Sequence, residues 1–356
     1  FLQQSNYNLF KLFWSNKLTR KISILSLLLI STFSVSISSA VIAASDENLT
    51  VYSTRKEHLI KPLFDAFTAK TGIKVAYLTG KGGALIERIK LEGKRTKADI
   101  FMTVDAGNLW YASTQNLFQA ADSELIESNI PSHLRDPDGL WTGLSVRART
   151  IIYSTERVDP NELSTYQDLA NAKWEGRLCL RTSKKVYTKS LVSSLIYHDG
   201  IEKTTEVVKG WVKNLAATPH AEDVHIMTSI LAGQCDVGIV NSYYFGRLQA
   251  EDPNVPLKLF WANQDSSGTH VNISGAGIVK HSSSPSEALE LLEFLSSIEA
   301  QKIYVGLNKE YPASQKLKAD NLIAVWGDFN QDKMNLSVAG EKQAESVSLM
   351  QREGYK

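Results

Sequence analysis

The strongest constraint on how this chain folds is a regular alternation of short apolar runs with segments of helical period. NLTVYSTR (Asn48–Arg55), IKVAYLTG and ADIFMTVD (ending at Asp105) have the length and β-branched content of strands. Between them, HLIKPLFDAFTAKTG (His58–Gly72) and ALIERIKLEG (Ala84–Gly93) space their apolar residues three and four apart, with glycine as the stop. Strands separated by helices need crossover connections, so the pattern predicts an α/β fold with mostly parallel sheets. The alternation resumes in GRLCLRT, KSLVSSLIYHDG, EVVKGWVKNLA and IMTSILAGQCDVGIV.

Two segments do not belong to either set. WTGLSVRARTIIYSTERV (Trp141–Val158) is longer than an ordinary strand and unbroken after Gly143, and THVNISGAGIVK (Thr269–Lys280) is a second extended run. Both read as crossings between two lobes, with a cleft that can close on a ligand. The expected lobes are 45–150 with about 275–320, and 151–274 with about 321–356. SPSEALELLEFLSSIEAQKIYVG after the second crossing reads as one helix.

Residues 1–44 are of another kind. Lys17, Arg20 and Lys21 precede ISILSLLLISTFSVSISSAVIAA, the layout of a secretory signal peptide cleaved after Ala43 or Ala44, with a single membrane anchor as the alternative. The chain opens on Phe1, so residues 1–17 read as an upstream extension, with initiation near Leu18. A net charge of +1 with scattered Lys and Arg points away from nucleic acid, and TGKGG (Thr79–Gly83) lacks phosphate-loop spacing. The two cysteines, Cys179 and Cys235, both fall in the exported part. There they are a disulfide pair worth roughly 4 kcal/mol or two buried thiols.

Tyr243 and Tyr244 end the apolar run CDVGIVNSYY, which reads as a strand. An ordinary phenol has a pKa of about 10, so ionising one at pH 7 costs roughly 4 kcal/mol. A trivalent cation returns that cost, because it becomes the largest local charge. Phenolate is a hard anionic donor that suits Fe(III). Against catalysis, there is no HExxH or GxSxG, and His220 and His225 are five apart, off helical register. Asp99, Asp105 and Asp236 all sit beside strand ends, where carboxylates satisfy backbone donors.

At this point the residues resemble a known family. VYSTRKEHLIKPLFDAFTAKTGIKV, ADIFMTVDAGNLW, RAR at Arg147–Arg149, LSTYQDLANAKWEGRLCLRTSKKVY, CDVGIVNSYY, GTHVNISGAGIVK, EYP at Glu310–Pro312 and VWGDF span the mature chain in order. Together they resemble the periplasmic ferric-iron-binding proteins, the solute-binding components of bacterial iron ABC transporters, in the branch of the cyanobacterial iron-binding proteins and their proteobacterial relatives. The resemblance implies the two-lobed type II periplasmic-binding fold of transferrin lobes, with two crossing hinge strands. It places metal ligands at Tyr187, Tyr243 and Tyr244. Where some members carry a histidine–tyrosine pair after the first strand, this chain has Lys56 and Glu57, so Glu57 becomes the expected carboxylate donor or the position is vacant. Open coordination positions then imply a synergistic anion such as carbonate, held by Arg149 first and Arg55 second, with Lys56 or Lys185 adding charge. His58 reads as a surface or capping residue. The implied protein is a periplasmic monomer that delivers Fe(III) to an inner-membrane permease and its ATPase and is not an enzyme. The alternative is a sister that binds an organic anion, thiamine or a polyamine.

Overall fold

The computed structural model describes residues 48–317 and 324–356; the leader expected over 1–44 lies outside them. The first lobe opens with β1 (Leu49–Ser53), α1 (Glu57–Thr71), β2 (Val75–Thr79), α2 (Gly82–Glu92), β3 (Ile100–Thr103) and α3 (Ala106–Thr114). Helix α1 stops at Gly72, which takes the left-handed conformation (φ 81°) that glycine adopts without steric cost. Short β4 (Phe118–Gln119) and α4 (Glu124–Asn129) lead into β5 (Thr142–Ser154).

Strand β5 joins the halves. All thirteen of its residues are buried, and at about 3.3 Å per residue it runs about 40 Å. The second lobe follows: β6 (Leu178–Cys179), α5 (Val186–Asp199), α6 (Ile201–Asn214), α7 (Asp223–Leu231), β7 (Val237–Asn241), α8 (Ser242–Glu251) and β8 (Leu257–Phe260). Strand β9 (Val271–Val279) returns to the first lobe, followed by α9 (Pro285–Ser296), α10 (Ile298–Asn308) and β10 (Tyr311–Pro312). Helices Ser337–Glu341 and Gln343–Arg352 complete the described chain.

The strand order is β2-β1-β3-β9-β5-β7-β6, with β4 on β9 and both β8 and β10 on β5. Residues Thr142–Ala148 of β5 pair with β9, while Arg149–Tyr153 pair with β7, so one strand serves both lobes. The sheet is mixed where mostly parallel pairing was expected. β1 pairs parallel with β2 and β3, and β6 with β7, but β5 and β9 run antiparallel to every strand they meet. The reason is that each crossing strand enters a lobe against the direction of its βαβ units.

The long helix expected after β9 is two helices. The chain turns at Ser297, whose hydroxyl accepts from the Ala300 amide and caps α10. The first core packs Leu63, Phe67, Ile86, Phe101, Leu291 and Tyr304, and the second packs Ile151, Trp174, Leu195, Trp211 and Leu349. A third, smaller cluster packs Ile226, Ile230, Val240 and Phe245 around Cys179 and Cys235, which form a disulfide. Among the described residues no helix is long and apolar enough to cross a membrane.

Candidate functional site

Tyr243 and Tyr244 open a helix; they do not end a strand. β7 stops at Asn241, and both tyrosines lie in the first turn of α8. Tyr187 lies in the first turn of α5. Helix N-termini carry unsatisfied N–H groups and about half a positive charge, which favours an anionic oxygen nearby. All three tyrosines line one cleft of roughly 590 Å³.

The rings of Tyr243 and Tyr244 lie 4.3 Å apart between centroids. Three arginines surround the cluster. Arg147 stands 5.5 Å from the Tyr187 ring centroid, and Arg181 stands 5.1 Å from Tyr187 and 6.0 Å from Tyr244. Arg247 stands 5.1 Å from Tyr243 and 5.9 Å from Tyr244. Burial, then Tyr187 and Tyr244, push the Tyr243 phenol well above its ordinary range, against the pull of Arg147. Without a cation this phenol is neutral, and a highly charged metal would supply what ionisation requires. Burial opposes the charge on Arg181, yet Asp223 and then Tyr244 raise its guanidinium above the ordinary value.

Two expected site residues are elsewhere. Glu57 does not line the cleft; its carboxylate accepts the Tyr77 hydroxyl at 2.7 Å on the exposed side of α1. Its neighbours Lys56 and His58 both line the cleft, and His58 is exposed there, as expected of a surface residue. Arg149 is not in the lining either. Asp223 takes its guanidinium at 3.2 Å, with Asn241 and the Ile239 carbonyl as further acceptors. The arginine of that stretch that reaches the cleft is Arg147.

Arg55 does line the cleft, tied to Glu310 at 3.1 Å and to Ser145 and Ser274. Arg55 and Arg147 each keep a buried Nε without a hydrogen-bond partner. Among the described residues no three His, Cys, Asp or Glu side chains gather as a metal site. The aspartates beside strand ends have structural partners. Asp99 accepts the Thr50 amide, Asp105 caps α3, and Asp236 pairs with Arg157 and Arg177.

The sequence reading missed Arg147, Arg181 and Arg247. Arg247 had a signal, since it lies four residues after Tyr243 and three after Tyr244, on one face of a helix. Reading the tyrosines as the end of a strand concealed it.

Residues 95–327 match the family model described as bacterial extracellular solute-binding protein. The chain belongs to that family. It is 40% identical over 316 residues to Iron uptake protein A1 of Synechocystis, covering 87% of this chain and 88% of that protein. Among solved structures, it is similar to a Trichodesmium protein in complex with iron and citrate ligands, with 42% identity and a TM-score of 0.84. That match covers 87% of this chain and all of the other. A ferric binding protein from Campylobacter jejuni is 34% identical with a TM-score of 0.81, over 87% of this chain and all of that one. The fold of this solute-binding protein is therefore the two-lobed type II periplasmic-binding fold.

Proposed function

We propose that this protein captures Fe(III) in its inter-lobe cleft through Tyr187, Tyr243 and Tyr244 and delivers it to a membrane permease driven by an ATPase. The observation that carries the reading is the convergence of three first-turn tyrosines on one cleft, framed by Arg147, Arg181 and Arg247. The iron named in the relatives' descriptions supports it. Three phenolates match the charge of Fe(III), and an added anion leaves negative charge for the arginines to offset. Arg55 and Arg147 line the cleft and suit a small oxyanion such as carbonate, in place of the Arg149 role expected from sequence.

Capture starts on the second lobe, which supplies the tyrosines. Closure about β5 and β9 brings up the first lobe, taken as 45–150 with about 275–320, against 151–274 with about 321–356. The protein works as a periplasmic monomer and as a carrier, not an enzyme.

Titration of the purified mature protein with ferric citrate in bicarbonate buffer tests this. The expected result is a red-to-purple phenolate-to-iron band that saturates at one equivalent and is lost in Tyr243→Phe. A flat spectrum on adding iron overturns the reading and favours an organic solute.

A further inference from the structure

We propose that Asn308 and Glu310 are positioning residues, a relay that holds Arg247 over the tyrosine pair and ties metal retention to the two crossing strands. The inference rests on the Fe(III) reading above. Arg247, on α8, donates through Nη2 to Oδ1 of Asn308, the last residue of α10. Asn308 in turn donates through Nδ2 to Oε1 of Glu310. The other carboxylate oxygen, Oε2, accepts from Arg55 at 3.1 Å and from the Ser145 hydroxyl. Arg55 also donates to Ser274. Ser145 on β5 and Ser274 on β9 are direct cross-strand partners. One chain of hydrogen bonds therefore runs from Arg247, which stands over the tyrosine rings, to the point where the crossing strands pair.

Every member beyond Arg247 is buried: Asn308 is 4% exposed, Glu310 and Arg55 2%, and the two serines 0%. Hydrogen bonds to charged groups in such surroundings are short and directional, so the relay fixes where the Arg247 guanidinium lies. Glu310 lines the cleft, but both its oxygens already accept from protein donors, which separates its role from that of a metal ligand. Lys309, between the two relay residues, ends α10 in the left-handed conformation (φ 57°) with its amide donating to the Val305 carbonyl, and this helix stop sets the turn that carries Asn308 and Glu310.

The relay also joins the lobes. α10 contributes Tyr304 and Val305 to the first core, while α8 contributes Phe245 to the cluster around the disulfide. A cation above phenolate rings lowers the energy of their donor electrons. Displacing Arg247 should move the phenolate-to-iron band to longer wavelength and loosen the metal.

The test is a double-mutant cycle on the iron-loaded full chain with Asn308→Ala, Arg247→Ala and both together. Band position, melting temperature and the rate of iron release to excess EDTA are measured. Asn308→Ala should shift the band and release iron about tenfold faster, within the range seen for mutations along coupling networks. The double variant should release no faster than Arg247→Ala alone, because the two act through one contact. Additive effects overturn the relay, as does an Asn308→Ala variant that melts lower but keeps the wild-type band and release rate. If the wild type shows no band, the Fe(III) reading itself fails and the relay falls with it.

Discussion

Arg147 and Arg149 show how little separates a site residue from a structural one. Two apart on a strand, they share a face, so alternation cannot choose between them. Asp223 decides, since it opens α7 and takes both Arg149 at 3.2 Å and Arg181 at 3.0 Å. That carboxylate is 74 positions from Arg149. Glu57 makes the same point, because the helix turn that brings Lys56 and His58 to the cleft sends Glu57 to Tyr77. Glu57→Gln should therefore leave the ferric titration endpoint and band unchanged. A lost band or a weakened endpoint would restore Glu57 as a ligand.

At the scale of elements, β7 and α8 set the position of the tyrosine pair, and the close packing of β7 keeps them there. Gly238 pairs with Cys179 on β6, next to the disulfide. A Cβ at Gly238 would lie 2.8 Å from the Cys179 carbonyl and 2.5 Å from Ile226 Cγ2. Backbone cannot yield there as a flexible side chain can. Gly238→Ala should cost about 1–3 kcal/mol by overpacking, read as a lower denaturant midpoint with an unchanged slope. The strand-to-helix switch at Asn241 was hard to read, because valine and isoleucine run directly into aromatics that suit a strand as well as a helix start.

For the whole molecule, the junction between lobes is buried and polar, and this makes stability depend on pH. His270 sits just before β9, with Nε2 3.0 Å from the Ser190 hydroxyl on α5. Burial lowers its pKa to about 4; Asp332 opposes this, while Arg149 and His198 add to it. The folded state favours neutral imidazole, whereas the unfolded chain binds a proton near pH 6.5. The contribution is complete above pH 6.5 and is lost as pH falls toward 4, by roughly 3 kcal/mol in all. Chemical denaturation of the iron-free protein should show this decline, and His270→Asn should flatten it over that window. An equal slope in both proteins would place the titration elsewhere.

The sequence alone determined the α/β class, the two-lobed plan and its two long extended runs, because each is written in local periodicity or in contiguous residues, whereas the tyrosine set was what the family resemblance implied. The helix stop at Gly72 was legible for the same reason as the periodicity. Only the tertiary structure decided the mixed sheet, the turn at Ser297 between two helices, and which arginines face the cleft. Those depend on partners far apart in the chain, such as Asp223 for Arg149 and Asn308 for Arg247. A charged side chain goes where its buried counter-charge lies, and no local pattern records that position.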